Sequence, residues 1–200
     1  MRIELPNRIE KAITESIISI FQNNKHTIKH IHKDSVTIEP NIKSNTPGMY
    51  CLFIHDIPMY FGESEVNLRQ RITRWIKVLL GQEHETEKHS LGEDLKRLSE
   101  DYNIVKQWFV NNMTVSYLSM KEARDFFEGH TWTNSTVFGP ETYTIKHFSN
   151  KDVVTYFEKL MIKKIGPISN RGHNETSQAR FSNYDKFRKI LENMSAKKAA

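Results

Sequence analysis

The chain contains a single cysteine among its 200 residues, and this scarcity excludes two kinds of stabilised fold. One cysteine can neither close a disulfide within the chain nor build a zinc site from several cysteines, so we interpret Cys51 as a small hydrophobic residue buried in a strand. No apolar run approaches the roughly 18 residues of a membrane span. The first residues, MRIELPNRIEK, lack the unbroken apolar segment of a secretory signal. These absences predict a cytoplasmic protein that does not enter a membrane.

Composition bounds the size of the fold and the charge of its partners. Apolar residues make up 38% of the chain, which is enough for the core of one domain with elaborations. The formal net charge is +5, and lysines and histidines recur between residues 25 and 33. Such a surface is compatible with phosphate binding, but a solvated lysine-rich face has the same composition. Charge alone therefore does not decide the function.

The stretch from residue 47 to residue 72 organises the rest of the chain. Two β-prone apolar runs, Cys51–Ile54 and Ile57–Phe61, are separated by turn-forming residues, and this pattern predicts a β-hairpin. If three residues close the turn, Tyr50 pairs directly with Tyr60. Directly opposed residues share one face of a strand pair, so the two phenols would stand side by side.

Helical periodicity begins after this hairpin. Apolar residues recur at helical spacing at Leu68, Ile72, Ile76 and Leu79. We expect Ser64 to cap the helix, Glu65 to lie in its first turn, and the helix to end near Leu80.

The residues before the hairpin, 1–46, are predicted to form an N-terminal extension. A helix opens at Pro6-Asn7, and its apolar stripe consists of Ile9, Ile13, Ile17, Ile20 and Phe21. Alternating residues at 27–32 and 35–38 predict a second hairpin.

The later elements are predicted as follows. Residues 91–98 form a helix, and residues 114–118 form a third strand. Residues 121–150 form an insertion with a short helix at 122–128. A helix runs from about Asn150 to Ile165 and ends at Gly166. The basic tail, 171–200, carries an amphipathic helix at 184–191.

Five short motifs in this order resemble those of the GIY-YIG nuclease superfamily. The tripeptides read Gly48-Met49-Tyr50 and Tyr60-Phe61-Gly62, and Leu68 is followed three residues later by Arg71. Glu158 lies on the later helix, and Asn170 closes a Pro-x-x-Asn motif 12 residues beyond it. The resemblance implies an α+β fold for residues 47–170, with a small three-stranded antiparallel sheet flanked by helices.

The resemblance also implies a chemistry, which is divalent-metal-dependent hydrolysis of DNA to leave 5′-phosphate and 3′-hydroxyl ends. Glu158 would hold one Mg²⁺, for which Mn²⁺ can substitute, and Arg71 would brace a nonbridging phosphate oxygen. Tyr50 would contact the attacking water and act as its base, with Tyr60 orienting it and Asn170 positioning the loop or the substrate. A phenol with a pKa near 10 is a poor base at neutral pH, so this role requires a nearby cation.

Several positions depart from the pattern or leave alternatives open. Glu63 stands where a basic or small residue is usual, and Trp75 stands where several members have His or Tyr. His84 or His89 could replace that missing group. Arg69 could take the role of Arg71, and Glu122 or Glu128 could take that of Glu158.

The extension and the insertion make a sequence-specific type II restriction endonuclease the favoured function. Another small GIY-YIG nuclease (structure-selective, repair or mobile-element-borne) and a non-catalytic DNA-binding module remain as alternatives. We expect a homodimer on double-stranded DNA, joined through the N-terminal stripe or the C-terminal helix near Phe187 and Leu191. The candidates for base readout are Lys29, His30, His32, Trp132, Asn134 and Lys146.

Overall fold

A computed structural model describes residues 3, 5–32, 35–39, 42–43, 45–80, 108–109, 111–136, 139–170 and 178–199. The helices are α1 (Asn7–Asn23), α2 (Leu68–Leu80), α3 (Met120–Asp125), α4 (Asn150–Ile165) and α5 (Gln178–Ala199), with a 3₁₀ turn at Ile145–His147. The strands are β1 (His26–His32), β2 (Ser35–Glu39), β3 (Gly48–Ile54), β4 (Ile57–Ser64), β5 (Met113–Ser119), β6 (Trp132–Thr136) and β7 (Gly139–Tyr143). The predicted α+β class is confirmed, and none of the described helices is long and apolar enough to cross a membrane.

The main sheet is larger than the sequence predicts. Its five strands are antiparallel in the order β2-β1-β5-β3-β4, so the expected three strands form only one side of it. The N-terminal hairpin supplies the other two, because His26 pairs with Val115 and Thr27 with Thr114. The N-terminal hairpin therefore extends the sheet that carries the motif hairpin.

The motif hairpin has a different register from the predicted one. Two residues close the turn instead of three, with His55 in the left-handed region at φ 51°. The pairing then shifts by one residue between Leu52 and Phe53. As a result Tyr50 lies opposite Gly62, and Tyr60 lies opposite Leu52.

Both faces of β3 are covered, which explains why the strand is a continuous apolar run. All seven of its residues are buried. Tyr50 and Leu52 face a core shared with α2 and α5. Cys51 and Phe53 face a second core shared with α1, α3 and α4, so Cys51 is a buried hydrophobic residue as predicted.

The apolar stripes on the terminal helices pack within the subunit. The bounds of α1 are as predicted, and its Ile13, Ile17 and Phe21 are buried in the second core. Helix α5 is longer than expected, and its Phe187 and Leu191 are buried in the first core. Neither stripe is therefore available as the dimer surface that the sequence suggested.

Helix α2 starts later than predicted because β4 continues to Ser64. The Ser64 hydroxyl accepts a hydrogen bond from the Asn67 N–H at 3.0 Å, which forms the turn before the helix. Asn67 is the cap, since its Oδ1 accepts from the Gln70 N–H at 3.1 Å.

Helix α4 has the predicted bounds. Ser149 and Asp152 form a capping box at its start, and Gly166 ends it with φ 65°. A Cβ at Gly166 would lie 2.5 Å from the backbone nitrogen of Arg180, so the glycine also allows α5 to approach.

The insertion contains a hairpin, β6–β7, that the sequence reading missed. Helix α3 begins at Met120, earlier than predicted, because Ser119 and Glu122 form its capping box. Trp132 is 3% exposed and stacks on Phe148 with ring centroids 5.7 Å apart. Trp132 is therefore a packing residue with no face free for a base. The helix predicted at 91–98 lies outside the described residues.

Candidate active site

Two tyrosine rings meet on one face of the motif hairpin. Tyr50 on β3 and Tyr60 on β4 are diagonal neighbours, and their ring centroids lie 6.1 Å apart. The Tyr50 side chain is fully buried and Tyr60 is partly buried. The predicted proximity of the phenols is confirmed, although the pairing that produces it is different.

Gly62 leaves the space that the Tyr50 ring occupies. A Cβ at Gly62 would lie 2.7 Å from the Tyr50 Oη and 2.7 Å from Tyr60 Cε1. Such distances are far inside van der Waals contact, so any side chain here would displace the rings. The glycine of the second tripeptide is thus explained by the geometry of the tyrosine pair.

Arg71 on α2 lies beside both phenols. Its positive charge acts on Tyr50 and on Tyr60, and its guanidinium lies over the Trp75 ring at 4.9 Å from the centroid. Arg69 is exposed on the other side of the helix start. Of the two candidate arginines, Arg71 is therefore the one next to the tyrosine pair, and the Trp75 ring packs against its guanidinium.

Glu158 reaches the same place from α4. Its side chain is half-buried, and its negative charge raises the pKa of Tyr60. The competing carboxylates are occupied or remote from this pair. Glu122 accepts hydrogen bonds from Ser119 in the capping box of α3, and Glu128 is exposed beyond that helix.

Asn170 fastens the segment after α4 to the edge strand of the sheet. Its Oδ1 accepts from the Phe61 N–H at 2.7 Å, and its Nδ2 donates to the Phe61 carbonyl at 2.7 Å. The preceding Ser169 N–H donates to the Met59 carbonyl at 2.9 Å. The side-chain amide is therefore committed to holding β4 in place next to Tyr60.

Both phenols are harder to ionise than a phenol in water. Burial raises the pKa of Tyr50 well above its usual value, the Tyr60 and Glu63 charges raise it further, and Arg71 only partly offsets them. Burial likewise raises the pKa of Tyr60 to about 12 despite Arg71. Among the described residues, the Tyr50 hydroxyl has no hydrogen bond of normal geometry, although Arg71 lies beside it. Arg71 is the nearby cation that Tyr50 would need in order to act as a base. Its effect on the pKa of Tyr50 is smaller than the effect of burial.

Glu63, which the sequence shows only as a departure from the family pattern, lies next to this site on the opposite face of β4, where it pairs with Met49. The residue is half-buried, and burial raises its pKa, with Glu65 adding to the effect and Arg71 and Lys151 opposing it. Its Oε2 is shielded from solvent and has no hydrogen-bond partner in the described part of the chain. An acidic residue directly after the motif glycine was the signal that could have identified it.

A cavity of about 230 Å³ lies next to this cluster at the start of α2. It is lined by Ser64, Val66, Asn67, Gln70, Arg71 and Arg74. Two guanidinium groups line it, and guanidinium groups suit the planar, bidentate recognition of phosphate. Arg71 lines the cavity and also lies beside the tyrosine pair, so the cavity borders the pair.

The residues present fit a hydrated divalent cation held by a single carboxylate. Among the described residues no group of three or more His, Cys, Asp or Glu side chains is placed to hold a metal ion. Mg²⁺ keeps several of its waters and often takes only one or two protein carboxylates. Glu158 beside Tyr60 can supply one.

The remaining candidates for DNA contact are spread over the N-terminal hairpin and the insertion. Lys29, His30 and His32 lie on β1, next to the edge strand β2. Asn134 pairs with Glu141 in the β6–β7 hairpin, and Lys146 is exposed in the 3₁₀ turn that follows. His84 and His89 lie outside the described residues.

Comparison with known proteins gives similarity to solved structures only. No protein-family model matches the chain, and no curated protein matches it. A solved structure of a mutant of bacteriophage T4 EndoII is similar over 80% of this chain and 98% of its own, with 14% sequence identity and a TM-score of 0.39. A similarity at this level establishes neither family membership nor activity, so the functional argument rests on the residues of the site.

Proposed function

We propose that this protein is a divalent-metal-dependent DNA endonuclease of the GIY-YIG type. One observation carries the proposal, which is that five motif residues converge although they span positions 50 to 170 of the chain. They are Tyr50, Tyr60, Arg71, Glu158 and Asn170, contributed by β3, β4, α2, α4 and the segment after α4. Each residue type alone is common at such positions, whereas their meeting at one end of the sheet is not expected of unrelated residues.

The roles follow from what each side chain can contribute to phosphodiester hydrolysis. The reaction requires charge stabilisation at the phosphoryl group and at the departing oxygen. Arg71 binds a nonbridging oxygen through its fork of N–H donors. Glu158 would hold Mg²⁺, which would supply charge neutralisation at the phosphoryl group and at the 3′ oxygen.

The tyrosines act in their protonated form. Because burial keeps the pKa of Tyr50 far above neutrality, its hydroxyl is a hydrogen-bond donor and not the base for the attacking water. Tyr60 is likewise a donor on the neighbouring strand, between Arg71 and Glu158. Asn170 fixes the position of β4, and therefore of Tyr60, through its two hydrogen bonds to the Phe61 backbone.

We further propose that the enzyme is a type II restriction endonuclease that acts as a homodimer. Hydrolysis is the same at every base, so sequence choice must come from groove contacts elsewhere. The candidate positions for these contacts are Lys29, His30 and His32 on β1, and Asn134 and the exposed Lys146 in the insertion. One site per subunit cuts one strand, and a two-fold DNA site is met by a two-fold dimer.

Digestion of supercoiled plasmid with Mg²⁺, followed by sequencing of the ends, tests this function. Discrete linear fragments with one shared terminal sequence, 5′ phosphates and loss of activity in EDTA are the expected result. Persistent nicked circles would point to a nicking or repair nuclease. DNA binding without any cleavage would point to a non-catalytic module and contradict the proposal.

The readout surfaces are tested by replacing Lys146 or His30 with Ala and selecting cleaved sites from a random library. A changed site preference with Mg²⁺-dependent hydrolysis retained is expected. Unchanged preference in both variants would exclude these surfaces.

A further inference from the structure

Arg74 has no role in the function proposed above, although it lines the same cavity as Arg71. The guanidinium of Arg71 lies over the Trp75 ring, at 4.9 Å from its centroid. Arg74 is exposed and forms no ion pair with a carboxylate of any described residue. The cavity therefore contains a second guanidinium in addition to the one assigned to the scissile phosphate.

The cavity lies along one polar stripe of α2. Four of its lining residues are spaced i, i+3, i+4 and i+7, which places them on one side of the helix: Asn67, Gln70, Arg71 and Arg74. Three residues of helix rise about 4.5 Å, and one strand of DNA carries a charge about every 3.4 Å along its axis. Two neighbouring phosphates of one strand can therefore each meet one guanidinium.

The hydrogen bonds at the start of α2 engage the acceptors of the cavity wall. The Ser64 hydroxyl oxygen accepts from the N–H groups of Val66 and Asn67, at 3.4 and 3.0 Å. The Asn67 Oδ1 accepts from the Gln70 N–H at 3.1 Å. A backbone N–H can only donate, so this bond fixes which end of the Asn67 amide is the oxygen. The Ser64 hydroxyl proton and the Asn67 NH₂ group are left as donors.

The backbone at this helix start is not the ligand-binding element. The Leu68 N–H already donates to the Thr46 carbonyl at 2.9 Å, and the Gln70 N–H is bonded to Asn67. Binding in the cavity therefore depends on the side chains of its wall.

Those side chains favour an anionic ligand with several acceptor oxygens. No carboxylate of a described residue lines the cavity, and Glu65, which lies between two lining residues in sequence, is exposed outside it. Guanidinium, hydroxyl and amide donors together match the oxygens of a phosphate group. One water takes about 30 Å³ in the liquid, so a cavity of about 230 Å³ has room for a phosphate and bound water.

We propose that this cavity binds the phosphate next to the scissile one in the cut strand, an inference that rests on the proposed nuclease function. Arg74 is its main ligand and forms paired hydrogen bonds with the two nonbridging oxygens. Asn67 and Ser64 donate to the same oxygens, directly or through water. Arg74 is thus a positioning residue, because fixing the neighbouring phosphate fixes the strand with its scissile phosphate at Arg71.

A salt series of DNA binding by Arg74→Ala and Arg8→Ala, measured in EDTA, tests the site. Arg8 is an exposed arginine on α1, which packs on the opposite face of the sheet from α2, so both variants lose one charge. Arg74→Ala should bind a duplex about 10-fold more weakly. Its plot of log affinity against log salt should be shallower by about 0.9. Arg8→Ala should keep the wild-type slope, and an unchanged slope in Arg74→Ala would overturn the inference.

Neutral methylphosphonates identify the phosphate that is bound. Each is placed on one side of the scissile phosphate, in a duplex with the sequence found at the cleaved plasmid ends. On one side the substitution should raise the KM of the wild type by about 10-fold with little change in kcat. Arg74→Ala should be insensitive to it, and Arg74→Lys should be intermediate because lysine keeps the charge without the paired bonds. Equal effects on Arg74→Ala and wild type on both sides would contradict the proposed contact.

The two assays separate this inference from the function on which it rests. Binding in EDTA requires no cleavage, so a shallower slope for Arg74→Ala in a protein that never cuts DNA would keep the phosphate site and overturn the nuclease function. Cleavage by the wild type, with the slope and the methylphosphonate response unchanged in Arg74→Ala, would overturn the role of Arg74 alone. If the wild type does not bind DNA, both proposals fall.

Discussion

The ring of Tyr50 lies over Gly62, its partner on the neighbouring strand, so closely that a Cβ on Gly62 would be 2.7 Å from the phenolic oxygen. The position of one motif tyrosine therefore depends on the absence of a side chain in the other motif.

Gly62→Ala should damage both stability and activity. The added methyl group must push Tyr50 or Tyr60 aside, and overpacking of a filled core costs about 1 to 3 kcal/mol. Urea unfolding should show that loss, and cleavage should fall further than the population of folded protein does. A variant with wild-type stability and rate would show that the rings are not held as described.

Asn170→Ala should loosen β4 under Tyr60. The substitution removes two hydrogen bonds of 2.7 Å to the Phe61 backbone and leaves both backbone groups unsatisfied, which costs about 1 to 3 kcal/mol. Asn170→Asp retains an acceptor for the Phe61 N–H and should lose less. Equal unfolding midpoints for Asn170→Ala and wild type would contradict the positioning role.

Arg71→Ala and Arg69→Ala should differ sharply. Arg71 lies beside the tyrosine pair and over Trp75, whereas Arg69 is exposed. Loss of one electrostatic stabiliser typically lowers the rate by about 10²- to 10³-fold. The single-turnover cleavage rate of Arg71→Ala should therefore fall by that factor, whereas the rate of Arg69→Ala should stay close to that of the wild type. The reverse order would mean that the neighbouring arginine is the catalytic one.

Alkaline pH should destabilise the fold through its buried phenols. The pKa of Tyr60 is about 12 in the folded chain and 10.0 for a free phenol. The unfolded chain loses this proton first, so the stability contribution is complete below pH 10 and is lost as the pH rises toward 12. Over this pH window the free energy of unfolding of Tyr60→Phe should decrease less than that of the wild type. Identical slopes would show that Tyr60 is not buried as a neutral group.

The sequence predicted helices α1 and α4 well because their signals are local. The capping residue Ser149 and the terminating Gly166 bracket α4, and the stripe Ile13–Ile17–Phe21 marks the buried face of α1. The predicted register of the motif hairpin was wrong. The left-handed backbone conformation of His55 and the one-residue shift after Leu52 have no clear sequence signature. The sequence did not predict the five-stranded sheet, because the pairing of Thr27 with Thr114 depends on tertiary contacts.

The site was only partly predictable for the same reason. Motif order suggested that Tyr50, Arg71 and Glu158 meet, but it left Arg69 as an alternative to Arg71, and the exposure that distinguishes the two arginines depends on the fold. The sequence shows Glu63 only as a departure from the family pattern, because the burial of its Oε2 depends on tertiary packing. Trp132 was named as a candidate for base readout because its stacking on Phe148 depends on tertiary contacts that the sequence does not show.

The most direct test of the central claim is Mg²⁺-dependent cleavage by Glu158→Gln, measured beside DNA binding by the same protein. Glu128→Gln, an exposed glutamate outside the site, is the control. We expect Glu158→Gln to bind DNA as the wild type does and to cleave none of it, while Glu128→Gln cleaves normally. Equal cleavage by Glu158→Gln and wild type would contradict the account, because Glu158 would then not be the ligand of a metal ion that cleavage requires.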